Sequence, residues 1–349
     1  KISKPLGGFP MLKNKKLDFM VQTAFPWTVA VPYRLFATSR DAKAKFVHLL
    51  GTIDSLGRYL SYLVLADCLA VDRDEVLSLV TGEEGKDIFQ QSQLQPWVAA
   101  LGRLLTLKEG EELFVPELRK LYVGEDGETN DSFARLKNLV DSAGSYVQPD
   151  SLDGEELLEQ LEILGEDFET VVGELSFLAN YQIGIINSQV QDGAAETFHG
   201  IFSRWVGHQG LGLPIPIVME TEPLLDQVLL VSASFDRCLS LDPFFKFVDE
   251  DYQTIFGLSG IWDCGTAQYS SYSQMNFLME TMAKEQFVQG PTRADLLPVG
   301  ATVARITGKS RLLPEEEVFD GEYENLGFIG KGRTGATYKL FNRESEREY

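Results

Sequence analysis

The chain has 349 residues, and its 52 aspartate and glutamate residues outnumber 31 lysine and arginine residues, giving a formal net charge of −21 at pH 7. Hydrophobic residues make up 44% and charged residues 24%, values that exclude a wholly disordered or collagen-like chain. The length predicts two or three domains. The negative charge argues against nucleic acid as a direct partner, because a surface that follows phosphates needs positive potential.

The compartment is predicted from cysteine usage and from the absence of long apolar runs. Cys68, Cys238 and Cys264 are odd in number and not at C-x-x-C spacing, which favours buried thiols in a reducing environment over a zinc site or a disulfide framework. No apolar run approaches the ~20 residues that a bilayer span needs, and the lysine-rich start has no apolar stretch typical of a signal peptide. We therefore expect a cytoplasmic protein without membrane contact.

The first half of the chain predicts helices. Residues 25–37 contain two prolines among aromatic and branched residues, and this composition predicts an extended segment. From Asp41, a residue type suited to a helix N-cap, a long helix is indicated by apolar residues that recur every three or four positions. They are Phe46, Leu49, Leu50, Ile53, Leu56, Leu60, Leu63 and Val64. Three more periodic stretches, 97–107, 133–143 and 155–178, complete a predicted bundle of at least four helices.

The last of these helices lies in a strongly acidic window. Between Lys137 and Arg204 there is no lysine or arginine, and thirteen carboxylates fall in the same interval. A solvated helix face explains such a pattern. A docking face for a basic protein partner explains it as well, since complementary potential accelerates encounter. The candidate partner-binding residues are Glu159, Glu162 and Glu166.

The second half predicts strands. Short β-branched and aromatic runs separated by glycine and proline, such as 183–186, 215–218 and 228–231, predict a small β-rich region to about residue 272. Residues 273–287 are predicted to be helical. The fold class is therefore α+β, with a helical bundle at 1–180, a β-rich module at 181–290, a linker at 291–317 and a β-hairpin at 318–349.

The helical region resembles the HEPN-like helical domains of bacterial defence and signalling proteins, over residues 25–180. The resemblance includes the long apolar helix, the segment 115–119 and the run Leu136, Lys137 and Asn138. In active members an arginine and a polar residue are followed closely by histidine, and these groups cleave RNA. Here Asp141 and Ser142 follow, and no histidine lies between His48 and His199. A serine or an alanine, as at Ser142 and Ala143, does not titrate near neutral pH and cannot replace the histidine as a proton shuttle, so the resemblance implies a non-catalytic module.

The C-terminal region contains a G-x-G-x-x-G motif at Gly330, Gly332 and Gly335. A dinucleotide-binding fingerprint requires a helix to begin at its third glycine. Here β-branched and aromatic residues follow, at 337–341, and these favour a strand. Strand, glycine turn and strand is the arrangement of the nucleotide-covering loop of protein kinases, in which small residues let backbone N–H groups approach phosphate oxygens.

Residues 314–349 resemble the entry to bacterial Ser/Thr protein kinase domains, where a short lead ending in Gly-x-Tyr precedes the glycine-rich loop. The resemblance implies that the adenosine and phosphates of ATP contact Ile329, Gly330, Gly332, Gly335 and Thr337, although Thr337 stands where the family usually has valine. The required lysine, the H-R-D loop and the D-F-G aspartate follow that loop in kinases. They are not among these 349 residues, so we expect no catalysis and no cofactor in this chain alone. ATP and Mg²⁺ belong to a complete kinase domain.

These observations predict the regulatory or sensor region of a bacterial signalling or defence Ser/Thr kinase, not catalytic by itself. Two alternatives stay open. The chain is a non-enzymatic acidic adaptor that binds a basic protein, or it is a diverged HEPN-type ribonuclease that uses other residues.

Overall fold

The structure is a computed structural model. It describes residues 12–81, 88–91, 93–107, 112–124, 126–146, 154–192, 197–208, 211–212, 214–219, 225, 227–232, 234–248, 254–261, 266–270, 277–281, 291–296, 323–332, 335–342 and 347–348. Across these ranges the chain is an α+β protein, with helices first and antiparallel strands after them, as the sequence predicted.

The described part of the N-terminal half contains eight α-helices. They are α1 (Lys15–Ala24), α2 (Trp27–Thr38), α3 (Ala42–Val71), α4 (Arg73–Thr81), α5 (Gln95–Leu107), α6 (Pro116–Tyr122), α7 (Asp131–Ser145) and α8 (Gly154–Glu174), with 3-10 turns at Ile88–Gln90 and Ser176–Asn180. The predicted cap is confirmed, because the Asp41 carboxylate accepts the Ala44 N–H at 2.8 Å. None of the described helices has the length and apolar character that a bilayer span requires.

The prediction of an extended segment at 25–37 is wrong, because α2 occupies most of it. Pro26 is the N-cap of α2, where a missing N–H costs nothing, and only Pro32 interrupts the helical hydrogen bonding. Residues 27–33 are all buried, so packing on every side offsets the ~3 kcal/mol that an internal proline costs.

Within the described ranges, the strands form three antiparallel sheets. The strands are β1 (Gln182–Asp192), β2 (Thr197–Arg204), β3 (Ile215–Met219), β4 (Leu229–Val231), β5 (Arg237–Ser240), β6 (Phe245–Val248), β7 (Thr254–Ile261), β8 (Thr266–Ser270), β9 (Phe277–Thr281), β10 (Arg293–Asp295), β11 (Tyr323–Gly332), β12 (Gly335–Asn342) and β13 (Arg347–Glu348). Their orders are β10-β5-β4-β1-β2-β3, β6-β7-β8-β9 and β11-β12-β13.

Two regions differ from the predicted elements. Residues 277–281 are strand β9, paired with β8, so the prediction of a helix at 273–287 is wrong there. Residues 293–295, within the predicted linker, are strand β10 and pair with β5. In both cases inter-strand hydrogen bonds decide the conformation of a short segment whose local pattern is ambiguous. The rest of the predicted linker, 297–317, lies outside the described residues.

One hydrophobic core runs across the predicted boundary at residue 180. It joins the inner faces of the helices to Ile183, Leu230, Leu239 and other inward residues of the six-stranded sheet. The opposite face of that sheet carries a second, smaller core that includes Ile186, Phe202, Leu229 and Val231. The alternation of 229, 230 and 231 between the two cores is the period of two expected of a strand buried on both faces.

Candidate functional site

The predicted nucleotide loop is an antiparallel hairpin of β11 and β12. Gly332 pairs with Gly335, and Gly330 pairs with Thr337. The register shifts between Phe328 and Gly330, which makes Ile329 the extra residue of a bulge. The backbone thus brings all five predicted nucleotide-binding positions to one end of the hairpin. Residues 333–334 and the lead-in at 313–322 lie outside the described residues.

Three glycines at this end of the hairpin affect how closely a phosphate could approach the backbone. Glycine has no Cβ, so Gly330, Gly332 and Gly335 leave the backbone on both strands open to close approach. In the glycine-rich loops of kinases, backbone N–H groups donate hydrogen bonds to phosphate oxygens. That these glycines hold the phosphates of ATP is what the resemblance to kinase domains implies, and it stays a prediction.

The acidic candidates lie along the outer face of α8. Glu159, Glu162 and Glu166 are all exposed, whereas Leu161, Leu164 and Phe168 on the opposite face are buried in the core. The three glutamates therefore share one solvent-facing stripe, as the helical period requires. Of the thirteen acidic residues in the window, Asp150, Asp153 and Glu196 lie outside the described residues.

A basic group of the chain itself already contacts this stripe. The Lys13 ammonium forms an ion pair with Glu166, and the backbone N–H groups of Lys13 and Asn14 donate to Glu169 at 2.7 Å each. Hydrogen bonding to Glu166 raises the pKa of Lys13 above its ordinary value, and Glu162 contributes to the same shift. The residues before α1 thus occupy one end of the acidic stripe, which the sequence pattern did not indicate.

The positions that resemble an RNA-cleaving motif all face solvent. Lys137, Asn138, Asp141 and Ser142 are exposed on α7. His48 is half-buried on α3, where burial lowers its pKa, and the His208 Nδ1 atom lies 2.8 Å from the Gln22 carbonyl oxygen. Within the described ranges, no group of three or more histidine, cysteine or carboxylate side chains is arranged to hold a metal ion.

Two of the three thiols are buried. Cys68 and Cys238 are free cysteines in the interior, and burial raises the pKa of Cys238 to about 12. A thiol with so high a pKa is a poor nucleophile at neutral pH. The prediction of buried thiols is confirmed for these two residues, and Cys264 lies outside the described ranges.

Sequence reasoning missed a buried ion pair that joins the helices to the six-stranded sheet. Asp67 of α3 accepts hydrogen bonds from Arg293 Nε at 2.6 Å and from the Phe114 N–H at 2.7 Å. Its two partners lie 47 and 226 residues away in sequence, so no local motif marks the contact. The pair fixes strand β10 against the bundle.

Comparison of the chain with protein families, with curated proteins and with solved structures finds no match.

Proposed function

We propose that this chain is the regulatory region of a bacterial signalling or defence Ser/Thr protein kinase and is not catalytic by itself. The proposal depends chiefly on the hairpin of β11 and β12, in which Gly332 pairs with Gly335. In a kinase N-terminal lobe, the first two strands form a hairpin that is joined by the glycine-rich loop.

The shared hydrophobic core of the helical and β-rich part supports a regulatory role. It shares one core from α1 to the four-stranded sheet, so it is a folded body placed before the hairpin. A body of this kind can bind a signal or a partner and control the domain that follows. In the proposed arrangement, the lysine, the catalytic aspartate and the metal-binding aspartate come after residue 349.

The test is the coding sequence after Tyr349 and the activity of the longer protein. We expect a lysine within about a dozen residues, followed by H-R-D and D-F-G motifs. The longer protein should transfer labelled phosphate from Mg-ATP to a basic substrate, and the 349-residue chain should not. Gly332→Val should lower transfer by at least about tenfold, since its side chain would fill the space in which phosphate approaches the backbone.

Gly165→Val is the matched control for that experiment. Gly165 lies on α8, and a Cβ added there meets nothing within 4 Å, so this variant should keep its activity. A downstream sequence without these motifs, or equal activity of the Gly332→Val and Gly165→Val proteins, would overturn the proposed function.

A second candidate function, binding of a basic protein by the α8 stripe, is favoured by the Lys13 contact. Glu166 of the stripe accepts an ammonium, and the neighbouring Glu169 accepts two backbone N–H groups. These are donors that a lysine-rich segment of another protein would offer.

A further inference from the structure

A cleft opens between α3, the start of α5 and the end of α7. Its volume is about 330 Å³, and its walls include the apolar side chains of Leu50, Ile53, Leu94 and Val140. This volume is at the lower end of the range of about 300–1,000 Å³ typical of small-molecule sites. The cleft therefore suits a ligand smaller than a nucleotide with a largely apolar body.

One carboxylate, that of Asp54, lines the cleft, together with the polar side chains of Gln93 and Gln95. Both oxygens of Asp54 accept from Arg58 Nε, at 2.9 and 3.2 Å, which fixes the carboxylate in place. The Asp54 side chain is 45% exposed and that of Arg58 is 6% exposed. A carboxylate has about four acceptor positions, so Asp54 retains acceptor capacity toward the cleft after bonding Arg58. It can receive a donor from a ligand without first breaking its pair.

An aromatic ring completes the wall. Tyr146 lines the cleft, packs edge-to-face on Phe46 with ring centroids 5.3 Å apart, and donates its hydroxyl hydrogen bond to Gln160. Contacts on two sides keep the ring from turning away. Aromatic rings attract organic cations, and a carboxylate beside an aromatic and aliphatic wall is a recognition pattern for amines.

We propose that this cleft binds a small organic ammonium, with its charged nitrogen on Asp54 and its apolar body against Leu50, Ile53, Leu94 and Val140. The formal charge of −21 on the chain favours a cation over a neutral or anionic ligand of the same shape. The role of this ligand as the signal of a regulatory region depends on the proposed function, but the binding site itself does not.

A line of hydrogen bonds leads from the cleft to the β-rich region. Arg58 Nη1 donates to the Tyr62 hydroxyl at 3.3 Å, and that hydroxyl donates to the Leu258 carbonyl of β7 at 2.6 Å. Asp54, Arg58 and Tyr62 are spaced by four residues on α3, which places them on one helix face. A ligand that binds Asp54 therefore contacts the partner of buried Arg58. Arg58 is in turn linked through Tyr62 to the four-stranded sheet.

The experiment is calorimetric titration of the full 349-residue chain with two probes of equal size. One is 2-phenylethylammonium, and the other is the neutral 2-phenylethanol. We expect the ammonium to bind at least about tenfold more tightly than the alcohol. Asp54→Asn should remove this preference by weakening ammonium binding about tenfold and leaving alcohol binding unchanged.

A second variant keeps the test decisive if Asp54→Asn unfolds the chain by leaving Arg58 without its carboxylate. Ala143→Leu fills the cleft from α7 and leaves the pair of Asp54 and Arg58 intact, so it should weaken both probes about tenfold or more. Its matched control is Ala134→Leu, at an exposed position of α7, which should bind as the unmodified chain does.

Three results would overturn the site: no binding of the ammonium, equal affinities for the two probes, or an Ala143→Leu protein that binds as tightly as the Ala134→Leu protein. Because binding is measured on this chain alone, such a result leaves the proposed kinase role standing. Failure of phosphate transfer in the longer protein would in turn overturn that role and leave the site standing.

Discussion

The ion pair of Asp67 and Arg293 combines a carboxylate that is 1% exposed with a guanidinium that is 32% exposed. Burial raises the pKa of Asp67, and the Arg293 charge and the Phe114 N–H lower it in part. The carboxylate depends on these partners, because an unpaired charge in the interior costs several kcal/mol. The partly exposed arginine can be hydrated when the pair is broken, whereas the buried carboxylate cannot. Loss of Arg293 and loss of Asp67 therefore have different costs.

Arg293→Met should destabilise the chain by about 3 kcal/mol at pH 8, since it leaves a buried carboxylate without its cation. The folded-state pKa of Asp67 then rises further, so the folded state holds a proton more strongly than the unfolded state. The variant therefore keeps its stability at low pH and loses it as the pH rises above the pKa of Asp67 in the unfolded state, about 3.9. Urea unfolding at pH 5 and pH 8 measures the difference.

The control for this prediction is Arg103→Met, at an exposed position of α5, which should change stability by less than about 0.5 kcal/mol. A loss in Arg293→Met that is equal at pH 5 and pH 8 would show that Asp67 is not the group responsible.

Two buried tyrosines on α3, Tyr59 and Tyr62, differ in the hydrogen-bond partners of their hydroxyl groups. The Tyr62 hydroxyl donates to the Leu258 carbonyl at 2.6 Å and accepts from Arg58. The Tyr59 hydroxyl has no hydrogen-bond partner within the described part of the chain. Burial raises the pKa of both phenols, which keeps them neutral at any ordinary pH.

Tyr62→Phe should lower the free energy of unfolding by about 1–3 kcal/mol, because the Leu258 carbonyl and Arg58 each lose a partner in the interior. Tyr59→Phe should be neutral or stabilising, since it removes a buried hydroxyl that makes no bond. Thermal unfolding of the two variants side by side measures this. Because both substitutions keep the ring, equal losses would mean that the bonds of the Tyr62 hydroxyl to Leu258 and Arg58 contribute no more than the hydroxyl of Tyr59 does.

At the scale of elements, the turn after β2 is fastened to the end of α1. Gly207 donates its N–H to the Phe25 carbonyl at 2.9 Å, and His208 donates to the Gln22 carbonyl at 2.8 Å. Gly207 has a φ of +61°, and a Cβ added there would lie 2.6 Å from the Gln22 carbonyl oxygen. Both the left-handed backbone and the close contact require glycine.

Gly207→Ala should destabilise the chain by about 2 kcal/mol or more, from the strained backbone and the displaced end of α1. The same change at Gly51, an exposed position within α3 where an added Cβ meets nothing within 4 Å, should stabilise by about 0.5–1 kcal/mol. Chemical denaturation of both proteins measures the sign of each change in the free energy of unfolding. A tolerated alanine at 207 would show that this contact does not hold the turn on α1.

At the scale of the whole molecule, the acidic stripe and the formal charge of −21 act together. A one-signed field attracts a basic partner from a distance set by the Debye length, which is ~30 Å at 0.01 M salt and ~8 Å at 0.15 M. If the stripe is an interface, association should be fast at low salt and slower as salt rises. The Lys13 contact implies that such a partner competes with the segment before α1 for Glu166.

Charge reversal of Glu159, Glu162 and Glu166 to lysine should cut the association rate of a partner captured from source-cell extract by about tenfold at low salt, and leave the helical circular dichroism unchanged. Reversal of Asp74, Glu75 and Glu128, which are exposed elsewhere, changes the net charge equally and serves as the control. Equal rates for the two triple variants, or rates that ignore salt, would mean that the stripe is a solvated face.

The sequence by itself determined the elements whose signals are local. The period of Phe46, Leu49 and Ile53 specified α3, the carboxylate of Asp41 specified its start, and the glycines at 332 and 335 marked where β11 and β12 pair as a hairpin. Each of these depends on neighbours within a few positions, so the pattern can be read along the chain. The contact of Lys13 with α8 lies outside that reach, because it joins residues 153 apart.

Only the tertiary structure decided the conformation of 27–38 and 277–281 and brought Asp54, Arg58, Tyr62 and Leu258 into one line. For α2, burial of residues 27–33 outweighs a proline penalty that dominates the local pattern. For β9, hydrogen bonds to β8 supply a free energy that no property of residues 277–281 alone contains. The physical reason is the same in each case: burial and inter-strand bonding depend on partners that are distant in the chain, and local propensity is too weak to override them.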